Sequence, residues 1–166
     1  MKNFVRYPLK TRELTSFRNH NMPTKKESGV EKQKAWRQIE TITGNLIKSV
    51  GHRPDWRTTQ DNALSIQVTF SKYEQQFYDV SDADFERWKS YKVAFVVFLV
   101  GDCENALVVP ADELKKHIKA EHRQPSEEYA DYKLHLIKGT DAYAFRELPN
   151  LNLIKYHNAY HLLRRA

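Results

Sequence analysis

Residues 92–100 read KVAFVVFLV, and 93–100 form the longest apolar run in the chain. Eight residues fall far short of the roughly 20 a membrane helix needs. The run is rich in Val and Phe and is not broken by polar residues at helical spacing. It therefore predicts a strand buried on both faces. Such a strand needs a layer above it and a layer below it, so it places the centre of the fold.

Working back from it, residues 64–70 (LSIQVTF) alternate. Leu64, Ile66, Val68 and Phe70 are apolar, while Ser65, Gln67 and Thr69 are polar, which predicts a half-buried strand. Residues 72–75 are expected to turn the chain, and 76–80 to return it. Ser81 with Asp84 predicts a capping box opening a short helix, whose apolar side is Phe85 and Trp88. Residues 31–50 predict a longer helix with Ala35, Ile39, Ile42, Leu46, Ile47 and Val50 on one stripe, stopped by Gly51.

Working forward, residues 101–105 (GDCEN) predict a turn and 106–109 a returning strand. Pro110 suits the first turn of a helix that Asp112 and Glu113 favour at its start and Lys115, Lys116 and Lys119 at its end. Residues 132–137 and 142–146 predict a hairpin. Residues 153–163 predict a final helix on the stripe Leu153, Tyr156, Tyr160 and Leu163. The order predicts one α+β (mixed α/β) domain over residues 31–166, with a central mixed sheet of about five to seven strands flanked by helices. Residues 1–30, with Pro8, Pro23, Gly29 and scattered cations, predict a flexible basic arm.

The chain has 166 residues, 40% of them hydrophobic, enough for a core in one domain. Its single Cys103 excludes an internal disulfide and cysteine-based zinc motifs. MKNFVRYPLKTREL has no apolar leader, so a cytoplasmic protein without a membrane partner is expected.

The net charge of +6 is unevenly spread. Residues 1–30 carry 7 Lys/Arg against 2 Asp/Glu, residues 61–114 carry 4 against 10, and residues 115–166 carry 10 against 6. Basic ends around an acidic middle fit a polyanion partner, with DNA the expected one. The acidic middle would instead suit a basic protein partner.

Four constellations carry candidate chemistry. His157 and His161 stand four apart, a spacing that can hold a metal on a helix. The zinc-hydrolase motif also needs a Glu after the first His, and Asn158 occupies that position, with no third ligand marked. No metal is expected; with Lys155, Arg164 and Arg165 the histidines read as a basic edge.

In GHRPDWRTT (51–59), Arg53 and Arg57 flank Trp56 in an expected loop. Arginine forks bind phosphate and an exposed Trp stacks on a base. The competing arrangement buries Trp56 and pairs the arginines with Asp55 or Asp61. Lys115, Lys116 and Lys119 would extend the cationic surface. Cys103, between Asp102 and Glu104, is expected to have a raised pKa and not to act as a nucleophile.

The fourth constellation joins Asp61 (or Asp55), the strand Ile66-Gln67-Val68-Thr69, the aliphatic strand FVVFLV, and Val109-Pro110-Ala111-Asp112-Glu113-Leu114. The element order over residues 31–120 resembles restriction-endonuclease-like nucleases of the PD-(D/E)XK type. The resemblance implies that Asp61 and Gln67 hold a catalytic magnesium ion. Thr69 stands where that family has its lysine, so the implied relative is degenerate.

The expected function is therefore a non-catalytic nucleic-acid-binding domain in a DNA restriction or mobile-element setting, needing no cofactor. The alternatives are a diverged magnesium-dependent endonuclease and a protein-interaction module.

Overall fold

A computed structural model describes residues 25–44, 47–71, 77–124, 131–139 and 142–165. The expected basic arm lies mostly outside these residues; its last six open the first helix.

That helix, α1, spans Lys25–Thr43. Gly44 ends it in the left-handed region (φ +63°), and its N–H donates to the Glu40 carbonyl at 3.1 Å. The expected helix over 31–50 is thus corrected at both ends. Ile47 and Val50 fit the helical stripe, but Gly44 releases them into strand β1 (Ile47–Val50). Gly51 (φ +58°) then turns the chain into β2 (Arg53–Thr59), where a loop was expected. The period-two pattern of β2 was masked by Arg53, Pro54, Asp55 and Arg57.

β3 (Leu64–Phe70), β4 (Phe77–Ser81), α2 (Asp82–Trp88), β5 (Val93–Leu99), β6 (Ala106–Pro110) and α3 (Ala111–His117) follow. The expected turn at 72–75 lies outside the described residues, and β4 does not return along β3 but pairs with residues 131–135 in another sheet. The capping box of α2 forms in both directions: Asp84 N–H donates to Ser81 Oγ at 3.2 Å, and Ser81 N–H to Asp84 Oδ2 at 2.9 Å. Beyond α3 lie a 3-10 turn (Ala120–His122), β7 (Arg123–Gln124), β8 (Asp131–Lys138) and β9 (Tyr143–Phe145).

The central sheet is mixed and five-stranded, in the order β1-β2-β3-β5-β6. β3 and β5 are parallel, joined through β4 and α2; the other neighbours are antiparallel. The second sheet runs β4-β8-β7, and β9 pairs with β8. The α+β class holds.

β5 behaves as its composition demands: Phe95 to Leu99 are all buried. Val96 and Phe98 enter one core with Trp56, Tyr78, Phe85, Trp88, Leu114, Leu134 and Phe145. Phe95, Val97 and Leu99 enter the other with Ala35, Trp36, Ile39 and Ile66. The sheet therefore has a face covered by the second sheet, α2 and α3, and a face covered by α1.

The end of the chain contributes to both faces. The expected helix over 153–163 is two 3-10 turns, Ile154–Tyr156 and Tyr160–Arg165, parted at His157-Asn158. Leu153 and Tyr156 sit in the first core; Ala159, Tyr160 and Leu163 sit in the second. Between them the chain crosses the β6 edge. His157 bridges Leu107, the Asn158 N–H donates to the Ala106 carbonyl at 2.7 Å, and Asn158 Oδ1 accepts the Ala106 N–H at 2.9 Å. Asn158 adopts φ +50°, a conformation Asn tolerates better than most residues. The stripe is buried as expected, but the sheet edge bends it.

Candidate nucleic-acid interface

The cations singled out in the sequence fall into three places. The first is β2. Trp56 is 1% exposed, so it is a core residue and cannot stack on a base. Its Nε1–H donates to Ser65 Oγ at 2.7 Å, and the Trp88 ring centroid lies 6.4 Å away. Alternation sends its neighbour Arg57 to the other face, where the guanidinium lies 4.5 Å from the Trp36 ring centroid and Nη1 bonds Glu40 Oε1 at 2.9 Å. Arg57 is thus held by α1, and its partner is neither Asp55 nor Asp61. Arg53 remains half-exposed, with Nη1 3.8 Å from Asp84 Oδ1; Arg87 Nη1 lies at the same distance from that oxygen.

The second place is the end of α3 with the first C-terminal 3-10 turn. Lys116 Nζ bonds Glu113 Oε1 at 2.6 Å, and Lys155 Nζ lies 4.0 Å from Glu113 Oε2. The hydrogen bond from Lys116, with weaker help from Lys155 and His117, holds the Glu113 carboxyl below its ordinary range against the opposing effect of burial. Lys119 approaches Glu121 at 4.0 Å. Lys115 is exposed and adds weakly to the lowering of Glu86, after Lys89. These lysines are gathered, but with carboxylates among them.

The third place is the layer of α1 and the turn Tyr160–Arg165, which pack side by side. His161 and Arg164 are exposed there; Arg165 closes the same turn. His157 belongs elsewhere, its ring 5.3 Å from that of Tyr143. The two histidines do not share a helix, and the basic edge expected from Lys155 to Arg165 is divided by the β6 edge.

Asp61 and Gln67 are not brought together. Asp61 closes the β2–β3 turn, its Oδ1 accepting from the Thr59 hydroxyl at 2.5 Å and the Ala63 N–H at 3.1 Å. Those bonds, the hydroxyl first, hold its carboxyl below the usual range. Gln67 lies three residues up β3 from Leu64, about 10 Å along the strand. It pairs with Trp56, and its Oε1 is buried without a partner. One carboxylate tied into its own turn and one neutral carboxamide do not fit magnesium, which prefers charged oxygen ligands. Among the described residues, no group of three or more His, Cys, Asp or Glu is placed to hold a metal.

The acidic middle is largely used by the fold. Asp84 caps α2, Asp82 accepts from the Tyr132 hydroxyl and pairs with Arg123, and Asp102 accepts the Glu104 and Asn105 N–H groups. The Cys103 pKa is raised as expected, but by burial first and by Glu31 second, not by its sequence neighbours.

A further cluster joins the sequence neighbours Arg146 and Glu147 to His135 of β8, which only the fold brings to them. Glu147 Oε1 lies 2.7 Å from His135 Nδ1 and 3.1 Å from Arg146 Nε, while Oε2 accepts the His135 N–H at 2.7 Å. Arg146 Nη2 also lies 2.9 Å from His135 Nδ1, so that nitrogen faces both a carboxylate acceptor and a guanidinium donor.

No family model, curated protein or solved structure matches the chain. Among the described residues, no helix is long and apolar enough to cross a membrane.

Proposed function

We propose that this chain is a non-catalytic domain that binds nucleic acid, DNA foremost, through the layer of α1 and the turn Tyr160–Arg165. The packing of those two elements carries the reading. It sets α1 and the turn Tyr160–Arg165 on one side of the sheet. α1 bears Lys25, Lys26, Lys32, Lys34 and Arg37 against Glu27, Glu31 and Glu40, the turn bears His161 and Arg164, and residues 1–24, which precede α1 in sequence, hold 5 Lys/Arg and one Glu. The lysines around Glu113 are a lesser contributor, since each phosphate contact there competes with a carboxylate already in place. A magnesium nuclease would need Asp61 and Gln67 on one ion, and Asp61 is committed to its turn.

The test is binding of the full chain to labelled oligonucleotides at about 50 and about 200 mM salt. Phosphate contacts release counterions, so affinity should fall steeply between them. Absence of binding, or an affinity indifferent to salt, would sink the reading.

A further inference from the structure

We propose that the outward face of α1 is a recognition helix for the major groove of duplex DNA; this rests on the nucleic-acid reading above. α1 buries Ala35, Trp36 and Ile39 and exposes Val30, Gln33, Lys34, Arg37, Gln38 and Thr41. These six recur at three- and four-residue spacing and form one strip. The strip holds two cations, Lys34 and Arg37, and Glu27 is exposed on the same side one turn before Val30. Glu31 pairs with Lys34 Nζ at 2.6 Å and accepts the Cys103 N–H at 3.0 Å, and Glu40 takes Arg57, so Arg37 and the glutamines carry the reading.

The side chains left facing out are those that read base edges. Arg and Lys pair with guanine, Gln pairs with adenine, and Thr serves either bases or phosphates. Residues 30–41 span about 17 Å of helix. A helix of about 10–12 Å diameter fits the roughly 12 Å major groove. His161 and Arg164, exposed on the adjacent turn, flank the helix where phosphates would lie. The strip favours a duplex over a single strand because it offers no aromatic platform for stacking: Trp36 and Tyr160, the aromatic residues of these two elements, are both buried.

The experiment uses the full chain and duplexes with a randomised centre, enriched by successive rounds of binding. The proposal expects a preferred sequence. Gln33→Ala and Gln38→Ala should each reduce the preference for that sequence over a scrambled duplex by about tenfold. Arg164→Ala should weaken binding to both duplexes equally and reduce the salt slope by about one. These positions are exposed, and an unchanged circular dichroism melt would verify folding. The inference is overturned if no sequence is enriched, if the glutamine variants weaken both duplexes alike, or if the single strand binds more tightly than the duplex. Steep salt-dependent binding that α1 variants leave unmoved overturns this inference alone. Absence of binding to any nucleic acid overturns the broader reading with it.

Discussion

The two faces of the central sheet solve the same burial problem with different consequences for their surfaces. One face is covered by several elements, which bury Trp56, Trp88, Phe98, Tyr78 and Phe145 together. Its lysines end up around Glu113. The other face is covered by α1 and the last 3-10 turn. There Glu40 is drawn to Arg57 and Glu31 to Lys34 and the Cys103 N–H, and the strip pointing outward keeps Arg37 and the glutamines. The first face carries much of the aromatic core; the second combines a core of its own with a surface suited to a partner. A cation in the sequence says little about binding until its nearest carboxylate is known.

The largest test of that contrast is Trp56→Ala. It should cost about 3–5 kcal/mol in denaturant unfolding, as a cavity in an aromatic core does. If the stability hardly moved and only nucleic-acid binding fell, Trp56 would be a contact residue and the assignment of the faces would be reversed. Asn158→Ala comes next, at about 1–3 kcal/mol, because it strands the Ala106 N–H at the β6 edge and places Ala in a left-handed conformation. Asn158→Gly relieves the backbone while still losing the cap, so comparing the two variants in thermal melts separates the effects.

A pH titration probes the first face further. Burial raises the Glu147 carboxyl, but the His135 N–H and imidazole outweigh it, and the net shift is downward. A lowered folded pKa stabilises the protein above the unfolded carboxylate range, near ~4.3, and is lost as pH falls through the lower folded value. Glu147→Gln should flatten that acid limb and leave the neutral limb parallel to the parent's; a limb of unchanged steepness would show that other carboxylates govern it.

In binding, Arg164→Ala should weaken DNA affinity more than Lys116→Ala, since Lys116 already serves Glu113. Equal losses would erase the distinction between the two basic surfaces. The smallest effect is expected from Trp88→Phe. It removes an N–H that is buried without a partner, a gain that offsets part of the cavity left by the smaller ring, so unfolding should change by about 1 kcal/mol. A loss of several times that would mean the indole N–H has a partner in solution.

Local signals in the sequence were reliable, and long-range ones were not. The Ser81–Asp84 cap and the doubly buried strand around Val96 depend on adjacent residues, so both were legible. β2 was hidden because its apolar member, Trp56, is single and its other positions are charged or polar. The end of the chain misled for a different reason. Leu153, Tyr156, Tyr160 and Leu163 have helical spacing, yet the same spacing suits two turns hung over a sheet edge, and only the edge decides between them. The candidate interface was half-legible. Arg164 and His161 were singled out, but their alliance with α1 required knowing which face each end covers.

The Asn158 clasp also bears on the order in which the molecule can be completed. Ala106 precedes its partner by 52 residues. At roughly 5–20 residues per second, the β6 edge waits some 3–10 s on the ribosome before its own chain can close it. For that interval the Ala106 end of β6 lacks the backbone partner that Asn158 later supplies.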